Sequence, residues 1–164
     1  ARMKLGRYHG WLLLAHPHFE DQYSRWFNEV KRLAKAKPET YKTHEKTKRL
    51  AALDRLVFET IPQDPAHQRF LLGNSLGESN KAWRRAKLGS QYRVFFRFDS
   101  KAQILVFAWV NDQDSLRAYG SKSDAYLVFA SRLRNDDPPS NWDELLEQSV
   151  GETAKQPKSK GGSG

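Results

Sequence analysis

The sequence has 164 residues, enough for one compact domain of ordinary size and too few for two well-buried ones. Lys and Arg number 28 against 19 Asp and Glu, and the resulting net charge of +9 favours polyanionic partners such as nucleic acid. Nine Phe, six Tyr and five Trp supply a core built largely of rings, which excludes global disorder. The absence of Cys excludes disulfides, thiolate metal sites and a cysteine nucleophile.

Composition separates a folded part from a basic tail. We expect one domain over residues 1–150 and a flexible tail over residues 151–164, which ends in KQPKSKGGSG and resembles an expression linker. No run approaches the roughly 18 to 20 consecutive apolar residues of a membrane span, and no apolar secretory segment follows the N-terminal charges. We therefore expect a soluble, cytoplasmic protein with no membrane partner.

The first half of the chain is predicted to be mainly helical after a short apolar run at Trp11–Ala15. An amphipathic helix is predicted from Pro17, because apolar residues then recur at spacings of three and four. Its apolar positions are Phe19, Tyr23, Trp26, Phe27, Val30 and Leu33. A second, strongly basic helix is predicted between Pro38 and Pro62, with Leu50, Leu53, Val57 and Ile61 on its apolar side. Residues 62–80, rich in Pro, Gly, Asn and Ser, are predicted to form a loop.

The second half changes to strand patterns. Two runs of strand-forming residues within Trp83–Phe98 flank a Gly-Ser turn and predict a hairpin. The segment Ile104–Val110 is apolar on both faces, which is typical of a central buried strand. A helix is predicted from Asp124 to Arg134 with Ser123 as its cap, and a short one within PPSNWDELLEQ. The order predicts an α+β fold in which helices cover one face of a small, mainly antiparallel sheet.

The predicted hairpin concentrates positive charge, because six basic residues and no acidic one lie between Lys81 and Phe98. Side chains alternate along a strand, so one face of the hairpin is predicted to be cationic and exposed, and the other apolar and packed on helices. The exposed face would carry Trp83, Arg85, Lys87, Arg93, Phe95 and Arg97. Like charges on adjacent strands repel one another, so their presence without acidic neighbours favours a bound polyanion.

Aromatic rings among these cations favour single-stranded RNA or unpaired loops over duplex DNA, because rings stack on bases while cations hold phosphates. A simpler interpretation is a solvated strand face whose charges prevent edge-to-edge aggregation. A DNA-binding repressor that acts alone is less well supported, because no helix-turn-helix pattern accompanies the charge.

Few other residues are candidates for acid–base or metal chemistry. The five histidines are scattered, and His16 and His18 are expected to cap a helix start or face solvent rather than bind a metal. Asp112 and Asp114 lack the ligand number and the glycine of a calcium loop, so we expect a solvated turn there.

The cations themselves suggest a metal-free mechanism. The guanidinium groups of Arg85 and Arg93 disfavour the protonated form of a neighbouring lysine, which makes Lys87 a candidate general base. Cleavage of RNA without metal needs a base for the 2′-OH, cations for the pentacoordinate phosphorus and an acid for the leaving 5′ oxygen.

Several long segments then carry a family resemblance. They are GWLLLAHPHFEDQY from Gly10, NSLGESNKAWRRAKLGSQYRVFFRF from Asn74, ILVFAWVNDQDSLRAYGSKSDAYLVF from Ile104 and PPSNWDEL from Pro138. Together, in order over roughly residues 10–146, they resemble the YhaV family of bacterial toxins, a branch of the RelE-like ribonucleases. The resemblance implies a RelE-like α+β fold and a growth-inhibiting toxin of a type II toxin–antitoxin system, which cuts mRNA in association with the ribosome.

The resemblance also implies partners. The cognate antitoxin would be of the PrlF type, similar to AbrB-like transcription factors with a swapped hairpin. Toxin and antitoxin together would repress their own operon, so operator DNA is expected to bind only the complex. The predicted basic helix from Lys42 to Arg55 could contact ribosomal RNA, face an acidic antitoxin segment or simply be solvated.

Residue by residue, the RelE-like pair of alternate basic residues falls on Arg85 and Lys87, and the YR pair that opens the next strand falls on Tyr92 and Arg93. The predicted catalytic residues are Arg85, Lys87, Arg93, Arg117, Tyr119 and Tyr126, with the two tyrosines as competing general acids. The predicted RNA-binding residues are Lys81, Trp83, Arg84, Tyr92, Arg97 and Lys122. No metal or cofactor is required, and a non-catalytic RNA- or ribosome-binding module that blocks translation sterically is the alternative.

Overall fold

A computed structural model describes residues 3–73, 75–118, 121 and 123–151. The strands are β1 (Arg7–Tyr8), β2 (Trp11–Ala15), β3 (Arg84–Leu88), β4 (Tyr92–Asp99) and β5 (Ile104–Val110). The helices are α1 (Pro17–Ala36), α2 (Glu45–Arg55), α3 (Ile61–Gln63), α4 (Ala125–Arg134) and α5 (Trp142–Gln148). The predicted α+β class is confirmed.

The five strands form one sheet in the order β1-β2-β5-β4-β3. Only β2 and β5 are parallel, and the other pairs are antiparallel. The predicted hairpin is confirmed as β3 and β4, and its turn contains Gly89 at a φ of +63°. Strand β5 lies at the centre of the sheet and is covered on both faces, which explains why its sequence is apolar throughout.

One face of the sheet is covered by α1 and α2. Helix α1 begins at Pro17 as predicted, and Phe19 and Trp26 pack with Leu13 and Phe107 of the sheet. Helix α2 begins at Glu45 rather than at Pro38, because a 3₁₀ turn precedes it. It continues through a π-helical turn at Leu56–Thr60 into α3, so the predicted helical end near Pro62 is confirmed.

The other face is covered by α4 and α5, so the prediction that helices cover one face only is wrong. Phe129 of α4 stacks on Phe95 at a centroid distance of 4.2 Å and on Trp109 at 5.4 Å. Trp83 is 1% exposed and meets Phe129 edge to face. Alternation correctly placed Trp83 and Phe95 on one side of the sheet, but it could not reveal that a later helix would bury that side. The cap of α4 is Asp124, not the predicted Ser123, because its carboxylate accepts the Tyr126 N–H.

The predicted loop 62–80 borders the edge strand of the sheet. It contains 3₁₀ turns at Gln68–Phe70 and Glu78–Asn80, and Leu71 forms an isolated bridge with Arg84. This contact brings the residues before Leu71 against β3. In the described part of the chain, no helix has both the length and the apolar character needed to cross a membrane.

Candidate functional site

A buried amide joins three segments at one end of the sheet. Asn111 follows β5 and is fully buried; its Oδ1 accepts the Arg93 N–H at 2.7 Å. Its Nδ2 donates to the carbonyls of Gln91 at 3.0 Å and Ser115 at 2.8 Å. The Arg117 N–H also donates to the Gln91 carbonyl, at 2.8 Å. These bonds bring the hairpin turn, the start of β4 and the chain after β5 together.

Three of the predicted catalytic residues meet at this end of the sheet. Arg93 Nε donates to Tyr126 Oη at 3.3 Å, and Arg117 Cζ lies 4.9 Å from the centroid of the Tyr126 ring. Asp124 forms an ion pair of 2.5 Å with Arg117. We call Arg93, Arg117, Asp124 and Tyr126 the tyrosine cluster.

The two arginines of the tyrosine cluster differ in how their charge is balanced. Asp124 accepts from Arg117 and from the Ala118 N–H, so it neutralises Arg117 and also fixes its loop. Arg93 is 7% exposed and its Nη1 donates to the neutral carbonyls of Ser90 and Tyr92. Among the described residues no carboxylate pairs with Arg93, so this guanidinium can receive an anion without first losing a counter-ion.

A second group of cations lines an open cleft of about 300 Å³ beside β3. We call it the basic cleft, and it is lined by Leu56, Thr60, Arg69, Phe70, Arg85, Ala86 and Lys87. Arg85 Nη2 donates to the Leu71 carbonyl at 3.2 Å, which holds the guanidinium at the sheet edge. The Arg85 Nε is buried and has no hydrogen-bond partner among the residues that the structure describes.

Lys87 connects the basic cleft with the tyrosine cluster. It lines the cleft and lies directly opposite Arg93 in the β3–β4 register. Its side chain is exposed. The structure thus places Arg85 and Lys87 in the cleft, and Arg93, Arg117 and Tyr126 in the cluster.

Two of the predicted RNA-binding residues pack on the face of the sheet covered by α4 and α5 instead. Trp83 is buried and cannot stack on a base in this structure. Arg97 lies between Trp83 and Trp142, at 5.6 and 5.5 Å from their ring centroids, and donates to the Ser140 carbonyl. Burial, reinforced by the nearby charge of Arg84, lowers the pKa of the Arg97 guanidinium. The predicted cationic face is therefore interrupted here, because α5 packs over it.

The remaining predicted RNA-binding residues are dispersed. Tyr92 lies on the face covered by α1 and α2, where its hydroxyl accepts from Arg49 at 3.0 Å. Arg84 bonds to nearby main-chain carbonyls, including that of Lys81, and burial lowers its pKa. Lys81 itself pairs with Glu78 at 2.9 Å. Tyr119, Lys122 and all of the predicted tail beyond residue 151 lie outside the described residues.

Asp112 and His16 both cap local elements, and this is the capping role expected of His16. Asp112 caps the 3₁₀ turn at Gln113–Ser115. His16 caps α1 and bonds Gln148 at 2.8 Å, and burial is the main cause that lowers its pKa. Among the described residues, no three His, Asp or Glu side chains are grouped so that they could hold a metal ion.

Three residues of the site escaped sequence reasoning, and one of them, Asp124, was predicted only as the start of a helix. Asn111 carried one weak signal, because it is the first polar residue after a strand that is apolar on both faces. Arg69 carried no sequence signal, because it lies in a segment without periodicity. The position of that segment depends on the bridge between Leu71 and Arg84.

Comparison with known proteins assigns the chain to a family. A family model described as a toxin with endonuclease activity, of a toxin–antitoxin system, matches residues 13–150. The chain belongs to the YhaV toxin family. Membership of this family gives its general activity. The protein is a toxin with endonuclease activity, and its toxin–antitoxin system includes an antitoxin partner.

Similar proteins carry the same family name. The chain is 40% identical over 144 residues to Toxin YhaV of Escherichia coli O6:H1, a match that covers 87% of this chain and 94% of that protein. The protein named Ribonuclease toxin YhaV from Escherichia coli K12 matches with the same identity and coverage. No solved structure matches the chain.

Proposed function

We propose that this YhaV-family toxin is an endoribonuclease whose active site is the tyrosine cluster together with Lys87 and Arg85. The observation that carries the proposal is the contact of 3.3 Å between Arg93 Nε and Tyr126 Oη, with Arg117 over the same ring. An endonuclease needs cations at the scissile phosphate and a proton donor at the leaving oxygen. This contact places a cation, Arg93, next to a proton donor, the Tyr126 hydroxyl. The name of the K12 relative, a ribonuclease toxin, supports RNA as the substrate.

The proposed reaction is an in-line attack by the ribose 2′-OH on the adjacent phosphorus. Lys87 or a neighbour takes the 2′-OH proton, and the new O–P bond forms as the bond to the 5′ oxygen breaks. Arg85, Arg93 and Arg117 stabilise the extra negative charge of the phosphorane. Tyr126, or Tyr119, donates a proton to the leaving oxygen. The products are a 2′,3′-cyclic phosphate and a 5′-hydroxyl, and no metal takes part.

In the cell, the proposed substrate is mRNA on the ribosome in the cytoplasm. Cutting it would stop translation and growth, which suits a toxin. The proposed antitoxin is PrlF-like, with an AbrB-type swapped hairpin, and the complex rather than the toxin alone binds operator DNA. The net charge of +9 supports an acidic binding surface on that partner and contact with ribosomal RNA.

The deciding experiment maps the 5′ ends of a translated mRNA on purified ribosomes, with and without the protein. We expect new 5′-hydroxyl ends that disappear with Arg85→Ala, while binding of the protein to ribosomes or RNA is retained. A non-catalytic module would produce no new ends with either protein, and Arg85→Ala would lower its affinity.

Metal independence is tested separately on a ribosome-free RNA, because chelation dismantles ribosomes. We expect cleavage to continue in EDTA. Cleavage that stops in EDTA and returns with Mg²⁺ or Mn²⁺ would contradict the proposed mechanism.

Operator binding by the isolated chain as tight as that of its complex would favour a DNA-binding function instead.

A further inference from the structure

The basic cleft has the form of a small binding site at the edge of the sheet. One wall is the π-helical turn, through Leu56 and Thr60, and the other is β3. π-Helical turns are rare and frequently mark functional sites. The volume of about 300 Å³ lies at the lower end of the range of roughly 300–1,000 Å³ that is typical of ligand pockets.

The charges of the basic cleft favour an anion. Among the described residues that line it, three are cations, Arg69, Arg85 and Lys87, and none carries a carboxylate. None of the three forms an ion pair with another described residue. Cations held together without acidic neighbours repel one another, and an anion bound between them relieves this repulsion.

The guanidinium groups are also partly pre-positioned. Arg85 is held by the carbonyls of Arg69 and Leu71, at 3.5 and 3.2 Å. The Arg69 Cζ lies 4.9 Å from the centroid of the Phe70 ring, and Phe70 itself is buried. A side chain that is already restrained loses less conformational entropy when it binds a phosphate.

We propose that the Arg69 part of the basic cleft is a phosphate subsite for a nucleotide that flanks the scissile bond of the RNA strand, while Arg85 and Lys87 act on the scissile phosphate itself. The inference rests on the proposed function. Lys87 lines the cleft and faces Arg93 across one strand pair, so a single RNA strand can occupy the cleft and the tyrosine cluster together. This continuity favours RNA over an acidic peptide as the occupant.

The test measures binding rather than cleavage. The probe is a single-stranded RNA oligonucleotide with a 2′-deoxy nucleotide at the cleavage position, which cannot react, titrated in fluorescence anisotropy. We expect Arg69→Ala to weaken binding about tenfold, as for one lost charge-assisted contact. The slope of log affinity against log salt should fall by about 0.7, because one phosphate contact to a single strand is lost.

A scan with one neutral methylphosphonate at a time locates the contact. One flanking position should weaken binding to the unmodified protein and cause no further loss in Arg69→Ala. Arg69→Lys should retain most of the affinity. Arg32→Ala is the matched control, because Arg32 is exposed on α1 and does not line the cleft; it should lack the position-specific effect.

The outcomes separate this inference from the proposed function. Unchanged RNA affinity in Arg69→Ala, or an effect spread evenly over all phosphates, would overturn the subsite. Weaker binding of the antitoxin with unchanged RNA binding would make the cleft a protein-docking surface and also overturn it. If no RNA is ever cleaved but the position-specific effect of Arg69 persists, the proposed function fails, and the cleft stands only as a phosphate site for bound RNA.

Discussion

The side chain of Asn111 accepts a hydrogen bond of 2.7 Å from the backbone N–H of Arg93. Through its other two bonds the same amide holds Gln91 and Ser115, and the Ser115 segment leads directly to Arg117. One buried side chain therefore links the segments that carry the two arginines in contact with Tyr126. Asn111 touches no substrate in the proposed mechanism and acts as a positioning residue.

Asn111→Ala should lower the free energy of unfolding by about 1–3 kcal/mol, because buried groups lose their partners. It should also slow cleavage, because Arg117 loses its support. The decisive measurement is a double-mutant cycle on the cleavage rate with Arg117→Ala. If Asn111 acts through Arg117, its effect on rate should be much smaller in the Arg117→Ala background.

Asn141→Ala is the matched control for that cycle. Asn141 caps α5 by accepting the Glu144 N–H at 3.0 Å, so its loss should cost about 0.5–2 kcal/mol of stability. It should show no coupling to Arg117. Fully additive effects of Asn111→Ala and Arg117→Ala would contradict the positioning role.

Tyr126→Phe should slow the chemical step of cleavage by about 100-fold or more while the protein stays folded, because it removes only the hydroxyl. The ring, which meets Phe95 edge to face, would remain packed between the sheet and α4. Single-turnover kinetics on bound RNA measure the effect. Tyr8→Phe, which removes a hydroxyl bonded to the Lys4 carbonyl, is the control and should cleave at the normal rate. An unchanged rate in Tyr126→Phe would move the general acid to Tyr119 or another group.

Trp83→Ala should destabilise the protein by about 3–5 kcal/mol in urea unfolding, because a buried aromatic residue is removed from beneath α4. The indole N–H also donates to Ser140 Oγ at 3.4 Å. Trp83→Phe should cost less. A base-stacking residue at the surface would behave differently: RNA affinity would fall and stability would change little.

Stability should decrease as the pH falls below about 6.5, through protonation of His16. Burial lowers its pKa in the folded protein, so the unfolded chain takes up the proton first. The stability gained from neutral His16 is therefore complete above the unfolded pKa and is lost as the pH falls through the folded one. Melting temperatures at pH 7.5 and 5.5 should differ less in His16→Asn, which retains a capping side chain. An equal difference in both proteins would contradict this assignment.

Local patterns in the sequence predicted most of the elements. The spacing of apolar residues after Pro17 specified α1, and the alternation around Gly89 specified the hairpin. The start of α2 at Glu45 was not predicted from the sequence, which placed it at Pro38. The helix begins at Glu45 because the His44 side chain accepts a hydrogen bond from the Lys46 N–H and so caps it. Such competition depends on side-chain geometry rather than on residue type.

By itself the sequence determined the fold class, the hairpin and the residue types of the site, because periodicity and charge are local properties of the chain. Only the tertiary structure decided which cations are available. It buried Trp83 beneath α4 and placed Arg97 against Trp142 of α5. It brought Arg93 to the hydroxyl of Tyr126 and Arg117 to the ring of Tyr126. It also brought Arg69 against β3. These contacts join segments far apart in sequence, and their geometry follows from the packing of helices on both faces of the sheet, which no local pattern encodes.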